Sequence, residues 1–524
     1  MTRARGSSWT GAATRMGAVT VVSRAFGFVR VLVVAAVLGT TYLGNAFQAA
    51  NSVSNVLFEL VAAGALSAVL VPSFVTMLQR GDDDEADRLA SGLLGLALVG
   101  LGALTLFAMV AAPLIARVLT VGVNDPAIAA DQRALETYLL WWFLPQILLY
   151  AWGTVATALL YARRHFAITA AAPIANTVVM VAALVVFRIV AGPDPTLDLT
   201  AGEKALLAIA GTGGVLAFVG VLAVSARRAG FSLRPRWMPR EAGLTRMLRL
   251  SGWGALLNAN AGLLLGAALV IGGSVEGGVV AYQVAFVFFL APYAILAQPI
   301  LTAILPDMAT QAAAGHTSVF VGLVRSALDR MAVLVIPVSA AIVALALPVM
   351  RVVVFGRAEG AGVELLAAGL ASLAVGLYPY GAFLLLARAY YAMDDSRTPA
   401  FAAIVSALVG VAIMVVLASL THGTARVAAL GIGHTVAYGL AACLLGVGVA
   451  RRAGHGLFPS HLLAVAAYSA VLAALAWFAM RALDPSTRSL TLAALAAIGI
   501  VGLAAYGVVA RRWMQSSAPI GLHA

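Results

Sequence analysis

Polar positions are so sparse along this chain that the informative feature is where they interrupt the apolar runs. A helix crossing hydrocarbon needs about 20 mostly apolar residues at about 1.5 Å each, and fourteen such stretches follow one another with no gap long enough for a soluble domain. Their cores run over 17–38, 46–78, 91–115, 135–160, 167–190, 204–226, 251–272, 278–304, 331–354, 365–391, 400–420, 427–450, 461–483 and 490–510. Continuous runs such as Leu93–Ala116 lack the apolar–polar alternation of a barrel strand, the other backbone that closes its hydrogen bonds in lipid. The pattern predicts an all-α polytopic membrane protein of 14 transmembrane helices.

The pattern also repeats. Phe143–Pro173 and Leu377–Ala403 share an aromatic-proline opening, an apolar body, a Tyr-Ala near the end and a polar turn. Pro145 and Pro379 stand 234 residues apart, as do Pro72 and Pro306, and Arg15 and Arg249. That offset covers six helices, an even number, so the two copies share one orientation in the membrane, a parallel repeat. The expected organisation is an N-lobe over 1–230 with helices 1–6, a basic amphipathic linker over 231–250, a C-lobe over 251–455 with helices 7–12, and helices 13–14 with the C-terminal tail over 456–524. Arg227–Ser251 holds seven arginines beside Trp237, Met238 and Leu248. Such a connector either lies on an anionic leaflet or is a solvated tether.

Composition agrees: 62% of residues are hydrophobic and 10% charged, against about 25% charged in soluble domains. The net charge of +12 is a topology signal. Arg24 and Arg30 apart, 22 Lys/Arg fall on the side shared by the N-terminus, the even-numbered loops and the C-terminus, and 9 on the other. Positive-inside bias then places both termini in the cytoplasm. The basic residues sit at helix ends instead of forming one folded patch, so no nucleic-acid partner is expected. Cys443 is the single cysteine, which excludes an intramolecular disulfide and a cysteine-based metal site. The first apolar stretch is too long for a cleaved signal, so the first helix is expected to stay. No span carries paired carboxylates, a His-Glu metal grouping, a nucleophile with its base or a P-loop, so neither enzyme activity nor a cofactor is expected.

Two arginines break the first span. Counted from Arg15, Arg24 lies about 13 Å in and Arg30 about 22 Å in, and the pair diverges by about 240° around the helix. A central arginine costs about 2.5–3.5 kcal/mol to insert, so such charges face the bundle interior. A guanidinium fork fits phosphate oxygens bidentately. Two readings stand: a buried site for a phosphorylated headgroup, or an internal ion pair with Glu59 of the second span. Gln48, Asn51, Ser52, Ser54 and Asn55 crowd the entry to the second helix, with Asn258 and Asn260 in the seventh and Tyr282, Gln283 and Gln298 in the eighth. Each is either interhelical glue or a ligand contact. Arg388 in the tenth helix either snorkels or guards an inward mouth. The candidate substrate-binding set is Arg24, Arg30, Asn55, Glu59, Gln298 and Arg388.

Ser23–Gly39 ("SRAFGFVRVLVVAAVLG") followed by Asn45–Phe74 ("NAFQAANSVSNVLFELVAAGALSAVLVPSF") resembles the MurJ/MviN family, the lipid II flippases of the MOP exporter superfamily. Leu144–Tyr150, Thr302–Met308 and Tyr390–Pro399 carry the resemblance further, and it covers essentially residues 14–450. It implies two lobes facing a central cavity, in a bacterial plasma membrane, and export of undecaprenyl-diphosphate-linked peptidoglycan precursor by alternating access. The implied partners are lipid II or a related polyprenyl diphosphate lipid, the membrane, and cell-wall synthesis proteins. Arg24 and Arg30 match the family's cavity arginines. Val31, Asn45, Phe58-Glu59, Ala63, Val287 and Leu290 depart from the family's charged positions, so the cation cluster is thinned. Together with one lysine, Lys204, among 33 basic residues, the departures suggest a divergent, actinobacterial-type member. The alternatives are a flippase for another polyprenyl-linked oligosaccharide, Wzx-like, and a transport-inactive scaffold of cell-wall synthesis.

Overall fold

A backbone amide in hydrocarbon has no water to bond, so each apolar run satisfies its own hydrogen bonds as a helix. The computed structural model describes residues 4–59, 74–238, 242–453, 457 and 461–516; for 4–18, 242–255, 452–453, 512 and 514–516 only the helix path is described. The first helices are α1 (Ala4–Leu38), α2 (Tyr42–Phe58), α3 (Asp83–Val110), α4 (Ala112–Leu119), α5 (Pro126–Phe143) and α6 (Gln146–Ala162). Then come α7 (Phe166–Ala191), α8 (Ala201–Ala208), α9 (Gly214–Arg228), α10 (Ala242–Gly273), α11 (Gly278–Pro292), α12 (Gln298–Ala313) and α13 (Thr317–Val353). The chain closes with α14 (Ala361–Ala374), α15 (Leu377–Ala392), α16 (Arg397–Leu420), α17 (Gly423–Ala453), α18 (Leu462–Leu483) and α19 (Arg488–Ser516).

Among the described residues twelve helical runs are long and apolar enough to cross a membrane, and α14 with α15, bent by 44°, makes a thirteenth. The predicted second crossing appears as α2 and a helical piece over 74–80; residues 60–73, with Ala63 and Pro72, lie outside the described residues. The chain is a multi-pass membrane protein.

It divides into two compact units, Met1–Gly262 and Leu263–Ala524. In the first, the second and third crossings pack on the fourth, and the fourth and fifth pack on the sixth. The second unit has the same pairings six helices on: eighth and ninth on the tenth, tenth and eleventh on the twelfth. The irregular points repeat too. The fourth crossing breaks between α5 and α6, at Leu144–Pro145, and the tenth between α14 and α15, at Val375–Gly376. Proline lacks the N–H that a helix interior needs but suits a helix start; Pro145 is the N-cap of α6 and Pro379 lies in the first turn of α15. Gly376 is required for another reason, since a Cβ there would lie 2.7 Å from the Thr435 hydroxyl. The second crossing widens into a π turn at Glu59, and the eighth does so over Tyr293–Ala297, beginning 234 residues on.

Two features lie outside the repeat. α18 and α19 pack on α13 and on each other, tied by the Tyr506 hydroxyl donating to the Val333 carbonyl at 2.7 Å. Arg488 also reaches Glu359 at 2.6 Å and the Val354 carbonyl at 2.9 Å. The linker, over 231–238, is an extended strap laid along α3. Phe231 and Leu233 are buried, Ser232 donates to Asp87 from its N–H and hydroxyl at 2.7 and 2.6 Å, and the Arg236 N–H donates to the Ser91 carbonyl at 2.9 Å. Arg234, Arg236 and Trp237 stay exposed.

Candidate functional site

The Arg30 guanidinium meets a cavity of about 200 Å³ inside the first unit. Four helices contribute to its wall besides α1: Asn51 and Asn55 from α2, Tyr150 from α6, Pro173, Asn176 and Met180 from α7, and Val215 and Phe218 from α9. Their phases explain the convergence. Asn51 and Asn55 are four residues apart, and Pro173, Asn176 and Met180 are spaced at three and four, so each set shares one helix face.

Behind the cavity a chain of neutral hydrogen bonds fixes Tyr150. Its hydroxyl donates to Gln146 Oε1 at 3.1 Å, and Ser54 Oγ donates to the same oxygen at 3.3 Å. Gln146 Nε2 donates to Thr212 Oγ1 at 3.0 Å, and that hydroxyl donates to the Trp142 carbonyl at 2.6 Å. Thr212 lies in a π turn, Ile209–Gly213, that interrupts the sixth crossing. Such turns widen a helix and commonly mark functional positions. Glycines let the walls close up: a Cβ on Gly211 would lie 2.3 Å from the Phe143 ring, and one on Gly214 would lie 2.5 Å from Asn176 Oδ1. Ser54 and Gln146 are fully buried. A buried network of this kind is rigid when satisfied and costly when broken.

The cavity wall also holds unsatisfied polarity. The Oδ1 atoms of Asn51 and Asn176 are buried without a hydrogen-bond partner. An uncompensated buried polar group costs about 1–3 kcal/mol. Both carboxamides belong to the rim of a space that already contains a cation. Arg30 faces the Tyr150 hydroxyl as its electrostatic neighbour. Among the described residues it forms an ion pair with no carboxylate, and Glu59 forms none with a cation.

The structure thus brings Arg30 and Asn55 together. Arg24 is exposed on α1, outside the cavity wall, and Glu59 is half-buried at the end of α2, also outside it. Gln298 and Arg388 belong to the second unit. Gln298 begins α12 after the π turn, and Arg388, half-buried on α15, has Tyr293 as an electrostatic neighbour. There the interior is aromatic: Tyr293 to Tyr380 and Tyr380 to Tyr438 each have ring centroids 4.8 Å apart. His434, fully buried, lies 3.0 Å from the Tyr282 hydroxyl and 3.1 Å from the Leu430 carbonyl. That carbonyl can only accept, so Nδ1 carries the proton and Nε2 accepts from Tyr282.

Sequence reasoning missed Tyr150, Gln146, Asn176 and Thr212 as one constellation. It also passed over Glu136, which is fully buried and accepts from Gln132 Nε2 at 2.9 Å. The predicted fourth span begins at residue 135, which places Glu136 at a mouth. The helix in fact starts at Pro126, which puts Glu136 about a third of the way along the fourth crossing, Pro126–Ala162. Among the described residues no group of three or more His, Cys, Asp or Glu side chains is placed to hold a metal.

A sequence profile of the family described as lipid II flippase MurJ matches residues 34–503, downstream of both arginines. A Rhizobium meliloti protein named "Probable lipid II flippase MurJ" is 25% identical over 516 residues, covering 94% of this chain and 92% of its own length. A Rhizobium tropici protein of the same name is 27% identical over 388 residues, covering 73% and 71%. The fold resembles a solved structure of lipid II flippase MurJ in an inward closed conformation, with TM-score 0.73 and 16% identity over 95% of this chain and 98% of that one. It also resembles an inward-facing multidrug resistance MATE family transporter of the MOP superfamily, with TM-score 0.64 and 15% identity over 82% and 94%. The profile match extends over most of the chain, so the protein belongs to the MurJ family of lipid II flippases.

Proposed function

We propose that this chain carries lipid II, the undecaprenyl-diphosphate-linked peptidoglycan precursor, from the inner to the outer leaflet of a bacterial plasma membrane, and that Arg30 holds the diphosphate. The observation that carries this reading is the cavity beside Arg30, lined by carboxamides and a tyrosine hydroxyl and, among the described residues, without a carboxylate to neutralise the cation. A cation of this kind has its charge available for an anion, and charge-assisted contacts to phosphate oxygens are about twice as strong as neutral ones. Asn51, Asn55 and Asn176 offer amide N–H donors to the same oxygens, because a carboxamide can turn about its terminal torsion. Arg24, two turns nearer the N-terminus of α1, gives the diphosphate a first contact on its way in.

The two units of the repeat alternate access to the bound headgroup while the lipid tail stays in the bilayer. Both termini lie in the cytoplasm, and an inside-negative potential favours outward movement of two negative charges by about 2.3 kcal/mol per charge per 100 mV. That supplies direction without a nucleotide. Gln298 and Arg388 contact the cargo from the second unit, and Glu59 tunes the charge near the entry. Cell-wall synthesis proteins take the delivered lipid.

Replacing Arg30 with alanine in cells depleted of their own flippase tests the assignment. Growth is expected to stop, with lipid II accumulating in the inner leaflet. Native mass spectrometry of the purified variant is expected to show lipid II binding weakened by about 10- to 100-fold, the equivalent of about 1.5–3 kcal/mol for a hydrogen bond to a charged group. Full growth together with undiminished lipid II binding overturns the role of Arg30.

A further inference from the structure

A second concave site lies in the first unit, at the end of α3 away from the strap. α3 runs from Asp83 to Val110, and the Trp141 indole N–H of α5 donates to the Met109 carbonyl at 3.1 Å. Between α4 and α5 is a pocket of about 400 Å³. α5 lines it with one face, Ala130, Arg133, Ala134, Thr137, Tyr138 and Trp141, spaced at three and four residues. Across from that face α4 contributes Pro113 and Arg117, again four apart.

α4 is amphipathic in an unusual sense. Ala112, Ala116 and Leu119 pack inward, while Leu114 and Val118 point away at 62% and 48% exposure, flanked by Val110 at 83% and Val121 at 74%. Apolar side chains turned outward beside a tryptophan and two arginines form the pattern of a helix seated at a membrane interface, with acyl chains on one side and headgroups on the other. Topology gives no reason for the arginines, because this loop, between the third and fourth crossings, lies on the side poor in basic residues. Arg117 is exposed. Among the described residues Arg133 bonds the protein through its Nε, at 3.4 Å from Thr120 Oγ1, and its two terminal nitrogens make no hydrogen bond. The carboxylate near it, Glu136, is fully buried and engaged by Gln132. Neither arginine forms an ion pair with a carboxylate among the described residues.

We propose that this pocket binds the phosphodiester headgroup of an anionic phospholipid in the leaflet on the side of the odd-numbered loops. Arg117 and Arg133 hold the phosphate oxygens, Tyr138 and Trp141 pack against the glycerol, and the acyl chains descend over Val110, Leu114 and Val118. The site is separate from the Arg30 cavity and does not depend on it.

The test is native mass spectrometry of the full chain in detergent, titrated with phosphatidylglycerol or phosphatidylcholine, with tryptophan quenching by brominated phosphatidylglycerol as a second readout. The wild type is expected to retain phosphatidylglycerol preferentially. Arg117→Ala with Arg133→Ala should lower that preference by about fivefold per arginine removed. Arg30→Ala should keep it, and Trp141→Phe should bind but lose the saturable part of the quenching that the double arginine variant also lacks. If the double variant does not fold, Arg117→Ala alone carries the test, because that side chain is exposed and makes no hydrogen bond among the described residues. Equal preference in the variant and the wild type overturns the proposal. So does displacement by inorganic phosphate at the same concentration, or tighter binding of undecaprenyl diphosphate than of phosphatidylglycerol that disappears with the two arginines.

Discussion

Arg30 takes its setting from neutral partners. A guanidinium locked to a carboxylate presents little net charge to a ligand, whereas one beside a tyrosine hydroxyl and three carboxamides keeps its charge and gains donors that can follow the anion. Tyr150→Phe removes the hydroxyl and leaves Gln146 Oε1 with Ser54 as its remaining donor. The fold should survive and lipid II affinity should drop by about 3- to 10-fold, the worth of one neutral hydrogen bond of about 0.5–1.5 kcal/mol, read by titration in native mass spectrometry. Gly214→Ala tests the wall in a different way. The new methyl would meet Asn176 Oδ1 at 2.5 Å, so the carboxamide or the helix must shift. Overpacking of this kind costs about 1–3 kcal/mol. Gly220→Ala, with open space around it, is the control that should leave the thermal midpoint unchanged or raise it. Arg30 and Asn55 were legible in the sequence because a polar letter stands out in an apolar run. Tyr150 and Asn176 were not, since a tyrosine in a greasy helix reads as packing, and their convergence depends on the phases of separate helices.

At the scale of elements, the sequence revealed the crossings and the repeat because both rest on hydropathy and on proline, which act locally. The π turns were invisible to it. No residue type demands one, and they follow from how neighbouring helices press on one another. The repeat nevertheless shows what each unit did with the same position. Ser54 donates to Gln146 across the seam between the second and fourth crossings, with Asn55 beside it on the cavity wall. Phe289 and Tyr380 lie 234 residues beyond Asn55 and Gln146, and there the seam is an aromatic contact at 5.6 Å. The strap is likewise an element whose structure its composition concealed: seven arginines suggested a surface ribbon, while two buried apolar residues and Asp87 hold it to α3. Gly95 makes that approach possible, since a Cβ there would lie 2.0 Å from the Arg236 carbonyl oxygen. Gly95→Ala should therefore lift the strap, and trypsin should cut after Arg236, which precedes Trp237, at least about tenfold faster in the folded protein, as expected when a docked segment opens freely. An unchanged cleavage rate would show that the strap is not held at this contact.

The whole molecule poses a question of direction. A flippase of this kind moves a negative headgroup, which an inside-negative potential draws outward in either orientation of the protein; the orientation decides which face receives the headgroup. The distribution of 22 basic residues on one side against 9 on the other argues for cytoplasmic termini. The two faces also differ in what they are built to hold. Asp83, Arg163 and the arginine strap gather at one end of α3, and at its other end stand the interfacial α4 and the pocket of Arg117 and Arg133. A single native cysteine makes the question easy to ask. With Cys443→Ser as background, Ala314→Cys in the loop after the eighth crossing should react with a membrane-impermeant maleimide only after the cells are opened. Asn124→Cys in the loop after the third should react in intact cells. Both positions are exposed, so silence at either one in both conditions would point to a folding failure and would be caught by labelling in detergent. The reverse pattern would turn the protein over. The potential would still favour export by about 2.3 kcal/mol per charge per 100 mV, because it acts on the headgroup whichever way the carrier is set, and the pocket of Arg117 and Arg133 would then face the cytoplasmic leaflet.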